Sequence, residues 1–155
     1  MKDKRYASYV LPVRVKDGKK QVALLEYGSD GYGKIGGRFE DGETNAREVL
    51  RRELAEELNV GCDKIADTAI EIAEPYCVDV DPEWAKIRGT HREIRYIFVA
   101  PISADMELFF DEQGDIGARV VWLDAECLSD ENVVKFSDER EYLKKHVLPI
   151  IRNMK

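Results

Sequence analysis

Histidine and cysteine are scarce in this chain. Its 155 residues include two histidines, His91 and His146, and three cysteines, Cys62, Cys77 and Cys127. An odd cysteine count with no Cys-x-x-Cys pair argues against a disulfide framework and a zinc ribbon, and points to a reducing, cytoplasmic setting. So few histidines also argue against a His-rich zinc site. Any metal here should be a hard cation held by oxygen. No apolar run approaches the roughly 18–20 residues that a membrane span needs, so no membrane partner is expected. The opening residues are too polar for a signal-peptide core. A basic excess is lacking as well. The formal net charge is −7, which disfavours general nucleic-acid binding, because phosphate contacts dominate that affinity.

What is present describes one soluble globular domain, 44% hydrophobic and 35% charged, long enough to bury a core without staples. Tyr6–Val15 reads as a strand, with a turn at Lys16-Asp17-Gly18-Lys19 and a return strand at Gln21–Glu26; Asp-Gly between apolar runs is a hairpin signal. Gly28–Gly42 reads as a glycine-rich loop and Thr44–Asn59 as a helix. Thr68–Ala73 is expected to be a strand, and Glu74–Gly89 irregular. Ile94–Ala100, dense in β-formers, reads as a strand within Thr90–Ile102. Asp111–Gly117 is an acidic loop and Ala118–Leu123 a strand. Ser137–Asn153 is a closing helix, with Ser137 as its N-cap and Pro149 as its kink or end. The order implies an α/β fold, a mixed sheet flanked by helices.

The helix at 44–59 carries the chemistry. At about 100° per residue, Leu50, Leu54 and Leu58 form one stripe, and Glu53, Glu56 and Glu57 share a neighbouring arc. Their i, i+3 and i+4 spacing makes them surface neighbours, and like charges so placed repel. A divalent cation would reverse that repulsion. Alone, the helix also reads as a solvated acidic face, since Glu is a good helix former. The preceding segment, Gly36-Gly37-Arg38-Phe39-Glu40-Asp41-Gly42-Glu43, adds carboxylates and a backbone free to approach a ligand closely.

Gly37, Glu43 and the run Arg52-Glu53-Leu54-Ala55-Glu56-Glu57-Leu58-Asn59-Val60 resemble the Nudix box, G-x5-E-x7-R-E-U-x-E-E-x-G-U. Two departures stand out: eight residues separate Glu43 from Arg52, one more than the pattern, and Asn59 replaces glycine. Placed in the loop before the helix, the additional residue leaves the Arg52–Glu57 array intact. The resemblance implies a Nudix-like mixed β-sheet sandwiched between helices and a Mg²⁺-dependent hydrolase, with Mn²⁺ as a substitute, that cleaves a diphosphate linkage. The substrate would be a nucleoside diphosphate linked to another moiety, or a nucleoside triphosphate. By the same resemblance Glu53, Glu56, Glu57 and the Gly37 carbonyl are metal ligands. Glu53 or Glu56 is the general base, and Glu43 pairs with Arg52 to orient the array. Glu112, in the later acidic loop, is a candidate further ligand. Many members are dimers, so a homodimer stays open. The alternative is a catalytically weak or inactive nucleotide-binding or interaction module on the same fold, suggested by the longer spacing.

Other signals are weaker. Gly31-Tyr32-Gly33-Lys34-Ile35-Gly36 fits a dinucleotide fingerprint, but no helix start follows it. Tyr32, Trp84 and Arg88 are candidate substrate contacts, able to stack on a base or grip phosphate. Some Nudix subfamilies place a proline or a tyrosine a short way beyond the box. Pro75 and Tyr76 supply both, so they do not discriminate between substrates.

Overall fold

The computed structural model describes residues 2–28, 31–58, 61–109 and 118–155. Its frame is a mixed sheet built on one long strand. Strand β1 (Lys2–Lys16) runs parallel to β7 (Thr90–Pro101) on one edge, from Lys2↔Thr90 to Val13↔Pro101. Its other edge is shared by β4 (Ile35–Arg38), opposite Ala7–Val10, and β2 (Lys19–Tyr27), opposite Val13–Lys16. The β1–β2 turn has Asp17 at φ 53° and Gly18 at φ 76°, the left-handed pair that a tight two-residue hairpin requires. Strands β3 (Tyr32–Gly33) and β8 (Ala118–Asp124) pair with β2. Strands β5 (Ile70–Glu71) and β6 (Tyr76–Asp79) pair with the outer edge of β7.

Alternation along the central strands sends neighbouring residues to opposite faces. Val10, Ala23, Leu25, Phe98 and Ala100 meet Leu50 and Leu54 of α1 (Ala46–Glu57), Leu58 at its C-cap, and Ile65 and Ala66 of α2 (Ile65–Thr68). Leu11, Val22, Leu24, Ile97 and Val99 meet Leu143, Val147, Leu148 and Ile151 of the C-terminal helical segment. The sheet is thus sandwiched between helices, the mixed α/β arrangement expected.

Several local expectations change. Helix α1 begins at Ala46 rather than Thr44, because the Asn45 side chain accepts the Glu48 N–H at 3.1 Å and caps it. The Gly28–Gly42 segment contains β3 and β4. The Glu74–Gly89 segment is ordered: it forms β6 and α3 (Pro82–Arg88). The Asp81 side chain accepts the Glu83 N–H, Pro82 opens the helix, and Gly89, at φ 72°, closes it with its N–H on the Ala85 carbonyl. These are standard start and stop signals. They were hidden because this short helix has little apolar periodicity: Ala85 is buried and Ile87 is exposed. The Thr68–Ala73 strand shrinks to Ile70–Glu71, since α2 runs to Thr68.

At the C-terminus, Phe136 occupies the N-cap position of α4 (Ser137–Tyr142), and no side chain caps it, so Ser137 is the first helical residue. A wide π-type turn over Leu143–Val147 follows, in which the Leu148 N–H reaches five residues back to the Leu143 carbonyl. Pro149 then lies in the first turn of α5 (Leu148–Arg152), where its missing N–H costs little. Among the described residues, no helix is long and apolar enough to cross a membrane.

Candidate active site

Strand β4 and helix α1 pack together because Ile35, Leu50 and Leu54 share one core. That packing brings the Gly37 backbone against Glu53 and the Arg38 carbonyl against Arg52. Gly36 has φ 140°, and a Cβ there would meet the Ser8 carbonyl and stand 2.8 Å from Tyr9 Cα. The Ser8 hydroxyl, buried beneath, donates to the Ala46 carbonyl at 2.7 Å and ties β1 to the start of α1. At Gly37 the neighbour is different. A Cβ would stand 2.5 and 2.6 Å from the Glu53 carboxylate oxygens, so only a bare backbone allows this approach.

Arg52 organises the carboxylates. Its Nε and Nη2 grip Glu43 as a fork, at 3.0 Å to Oε2 and 2.8 Å to Oε1. Nη2 also donates to the Arg38 carbonyl at 2.9 Å, and Nη1 to Glu53 at 3.1 Å and Glu56 at 3.2 Å. The Glu40 N–H donates to Glu43 at 2.7 Å, fixing the loop. Glu43 precedes the helix, so the additional residue between Glu43 and Arg52 does not open the pair. Bidentate pairs of this kind combine strength with fixed geometry.

The electrostatics follow. Hydrogen bonding from Arg52 holds the Glu43 carboxyl below its ordinary value, and the same bond raises Arg52. Burial raises the Glu53 carboxyl, opposed by a hydrogen bond shared with Glu57 and by the charge of Arg52. Glu53 is 12% exposed and Glu57 9%, whereas Glu56 is 55% exposed. A buried and a half-buried carboxyl in hydrogen-bond contact, beside a bare glycine, form an all-oxygen donor set, which suits a hard divalent cation. Among the described residues no three Asp, Glu, His or Cys side chains already stand close enough to enclose an ion. Glu56 is drawn to Arg52 instead.

The structure therefore brings Gly37, Glu43, Arg52, Glu53, Glu56 and Glu57 into one place. Tyr32 is not with them: it packs toward the other core and lines a cavity of about 210 Å³ with Lys34, Val134 and Phe136. Trp84 and Arg88 fall in α3, and their side chains, like the whole of Glu112, lie outside the described residues.

The same face of the sheet as Tyr32 holds polar residues that no motif announced. Lys34 is ion-paired with Glu139 of α4; burial lowers the Lys34 ammonium, and the charge of Glu139 opposes it. Arg95 donates from Nε to the buried Glu93 at 2.9 Å, and Arg38 Nε stands 3.6 Å from the other Glu93 oxygen. Arg95 also borders a cleft of about 630 Å³ lined by Tyr76, Asp79, Phe136 and Glu139. The one sequence cue was charge inside a strand, at Arg92-Glu93 and Arg95 in a run of β-formers.

Comparison with known proteins addresses the fold and the family. The family model described as NUDIX domain matches residues 4–144. Among solved structures, the dihydroneopterin triphosphate pyrophosphohydrolase of E. coli is similar, with TM-score 0.66, 20% identity, and coverage of 96% of this chain and 99% of that one. The Ap4A hydrolase of C. elegans, in a binary complex, has TM-score 0.62 and 14% identity, covering 91% and 93%. The MutT protein of Methanosarcina mazei Go1 has TM-score 0.62 and 16% identity, covering 93% and 95%. No curated protein sequence matches. At such identities the structures speak for the fold, and the family match spans most of the chain that builds it: the chain belongs to the NUDIX domain family.

Proposed function

We propose that the protein is a divalent-cation-dependent hydrolase of a diphosphate linkage in a small nucleotide-type molecule. The observation that carries this reading is Arg52, closed on Glu43 as a fork and donating through Nη1 to Glu53, which lies against Gly37. A diphosphate resists attack because its oxygens are already negative, so catalysis needs charge neutralisation, water activation and positioning. Glu53, Glu56, Glu57 and the Gly37 carbonyl would hold Mg²⁺, or Mn²⁺ in its place. Bound there, the ion supplies the charge neutralisation at the phosphoryl oxygens. Arg52 orients Glu53 and Glu56 through its Nη1 donors. Glu53 or Glu56 serves as the base that takes the proton of the attacking water.

The neighbours named as acting on dihydroneopterin triphosphate and Ap4A define the first substrates to try, with ADP-ribose and nucleoside triphosphates beside them. A second reading, a nucleotide-binding module without catalysis, is favoured by the longer Glu43–Arg52 spacing and opposed by the closed fork. Assays of purified protein with Mg²⁺ over this panel separate the two. The hydrolase reading expects cleaved products, their loss on chelation, and a fall of roughly 10²-fold or more in Glu53→Gln or Glu56→Gln, with folding intact by circular dichroism. Full activity in both variants would sink it, and tight binding without turnover would support the module.

A further inference from the structure

Glu93 is fully buried, on the face of the sheet opposite α1. A carboxylate so placed costs several kcal/mol of desolvation unless partners compensate it. Its partners include two arginines from different strands, Arg38 at the end of β4 and Arg95 on β7, and each presents its Nε to a different Glu93 oxygen. The register sets the two side by side. Arg38 pairs with Ala7, and Ala7 pairs with Arg95. The guanidinium stems thus rise on either side of a buried alanine, with Cα atoms about 10 Å apart for adjacent strands. Among the described residues no hydrogen bond involves the Nη groups of either arginine. The outer donors of both forks therefore stand on either side of the buried Ala7, and this pair of guanidinium groups forms the arginine bay. Arg38 follows Gly37 in the chain, so the bay and the carboxylates flank the same strand end. The cleft of about 630 Å³ opens beside Arg95.

We propose that Glu93 is a positioning residue that aims Arg38 and Arg95 at anionic phosphoryl oxygens of the substrate, so that this bay grips a phosphate group while the α1 carboxylates serve the reaction. Guanidinium forks match phosphate bidentately and lose little entropy when prealigned. The proposal rests on the hydrolase reading for its substrate class, but binding tests it without turnover.

The probe is inorganic pyrophosphate, titrated calorimetrically into the protein in chelator. Without a divalent cation the acidic face repels it, so affinity reports the arginine bay. Arg95→Gln and Arg38→Gln should each weaken binding about tenfold or more, as loss of a charge-assisted bond implies. Glu93→Gln should also weaken it about tenfold, with partial rescue by Glu93→Asp. A purely electrostatic or structural Glu93 predicts the opposite, because removing a negative charge beside two arginines tightens anion binding. Unchanged or tighter binding in Glu93→Gln, or unaltered binding in Arg95→Gln, overturns the proposal. If Glu93→Gln does not fold, Arg95→Lys keeps the charge and loses the fork; equal affinity in that variant overturns it as well. With an active substrate, Glu93→Gln should raise KM and leave kcat within a few-fold, whereas loss of α1 carboxylates lowers kcat. Failure of every substrate in the panel alongside normal pyrophosphate results would refute the hydrolase reading and leave the bay standing.

Discussion

Gly36 and Gly37 are adjacent on β4 and resist substitution for different reasons. Gly36→Ala forces a Cβ into the β1 backbone at a φ of 140°, so it should destabilise folding by about 1–3 kcal/mol, read by chemical denaturation. Gly37→Ala meets only the Glu53 carboxylate, the end of a side chain that can move. Stability should then change little while turnover falls by roughly 10²-fold, because small displacements of catalytic groups are costly. Equal effects of the two variants on stability would contradict the distinction. The cysteines give a second residue-scale expectation. Cys77 is exposed, Cys62 is buried with its thiol pKa raised by burial, and burial pushes Cys127 up to about 12. At pH 8 the thiolate fraction of Cys127 is on the order of one in ten thousand. Maleimide labelling of the folded protein should therefore run to one equivalent rapidly, at Cys77, and the other two should follow only on unfolding. Rapid labelling of two or three thiols would contradict it.

Helix α1 was the element most legible in the sequence, because its leucine stripe and its glutamates repeat at helical spacing. Its stop at Leu58 and start at Asn45 were less so, since caps depend on one side-chain hydrogen bond rather than on periodicity. The expected Glu43–Arg52 pairing is seen as a fork in the structure, with the additional residue leaving it closed. Arg52→Lys tests what that fork does: lysine keeps the charge but cannot form two parallel bonds to Glu43 while reaching Glu53 and Glu56. Activity should drop at least about tenfold, with helical content unchanged by circular dichroism. Wild-type activity would show that charge alone suffices. Helix α3 and strand β6 were missed for the converse reason, as one apolar turn against the sheet leaves no stripe to read. The Arg38–Glu93–Arg95 grouping was invisible because it depends on parallel register between β1 and β7, strands more than seventy residues apart, which no local pattern encodes.

At the scale of the molecule, the sheet separates two chemistries. One face carries α1, whose Glu53 carboxylate lies against Gly37. The other carries buried and half-buried cations paired with Glu93 and Glu139, beside an open cleft. The net charge of −7 is thus unevenly spread, and the most crowded acids lie where a cation would relieve them. Family membership accounts for the fold that makes this division, and the side chains within it set the substrate. The proposed chemistry turns on whether the α1 carboxylates bind a divalent cation. Calorimetric titration of Mg²⁺ or Mn²⁺ into the chelator-stripped protein tests it most directly. Binding should be saturable, weaken about tenfold or more in Glu57→Ala and Glu53→Gln, and be unchanged in the remote Glu126→Gln. No saturable binding, or equal binding in all four proteins, would contradict it.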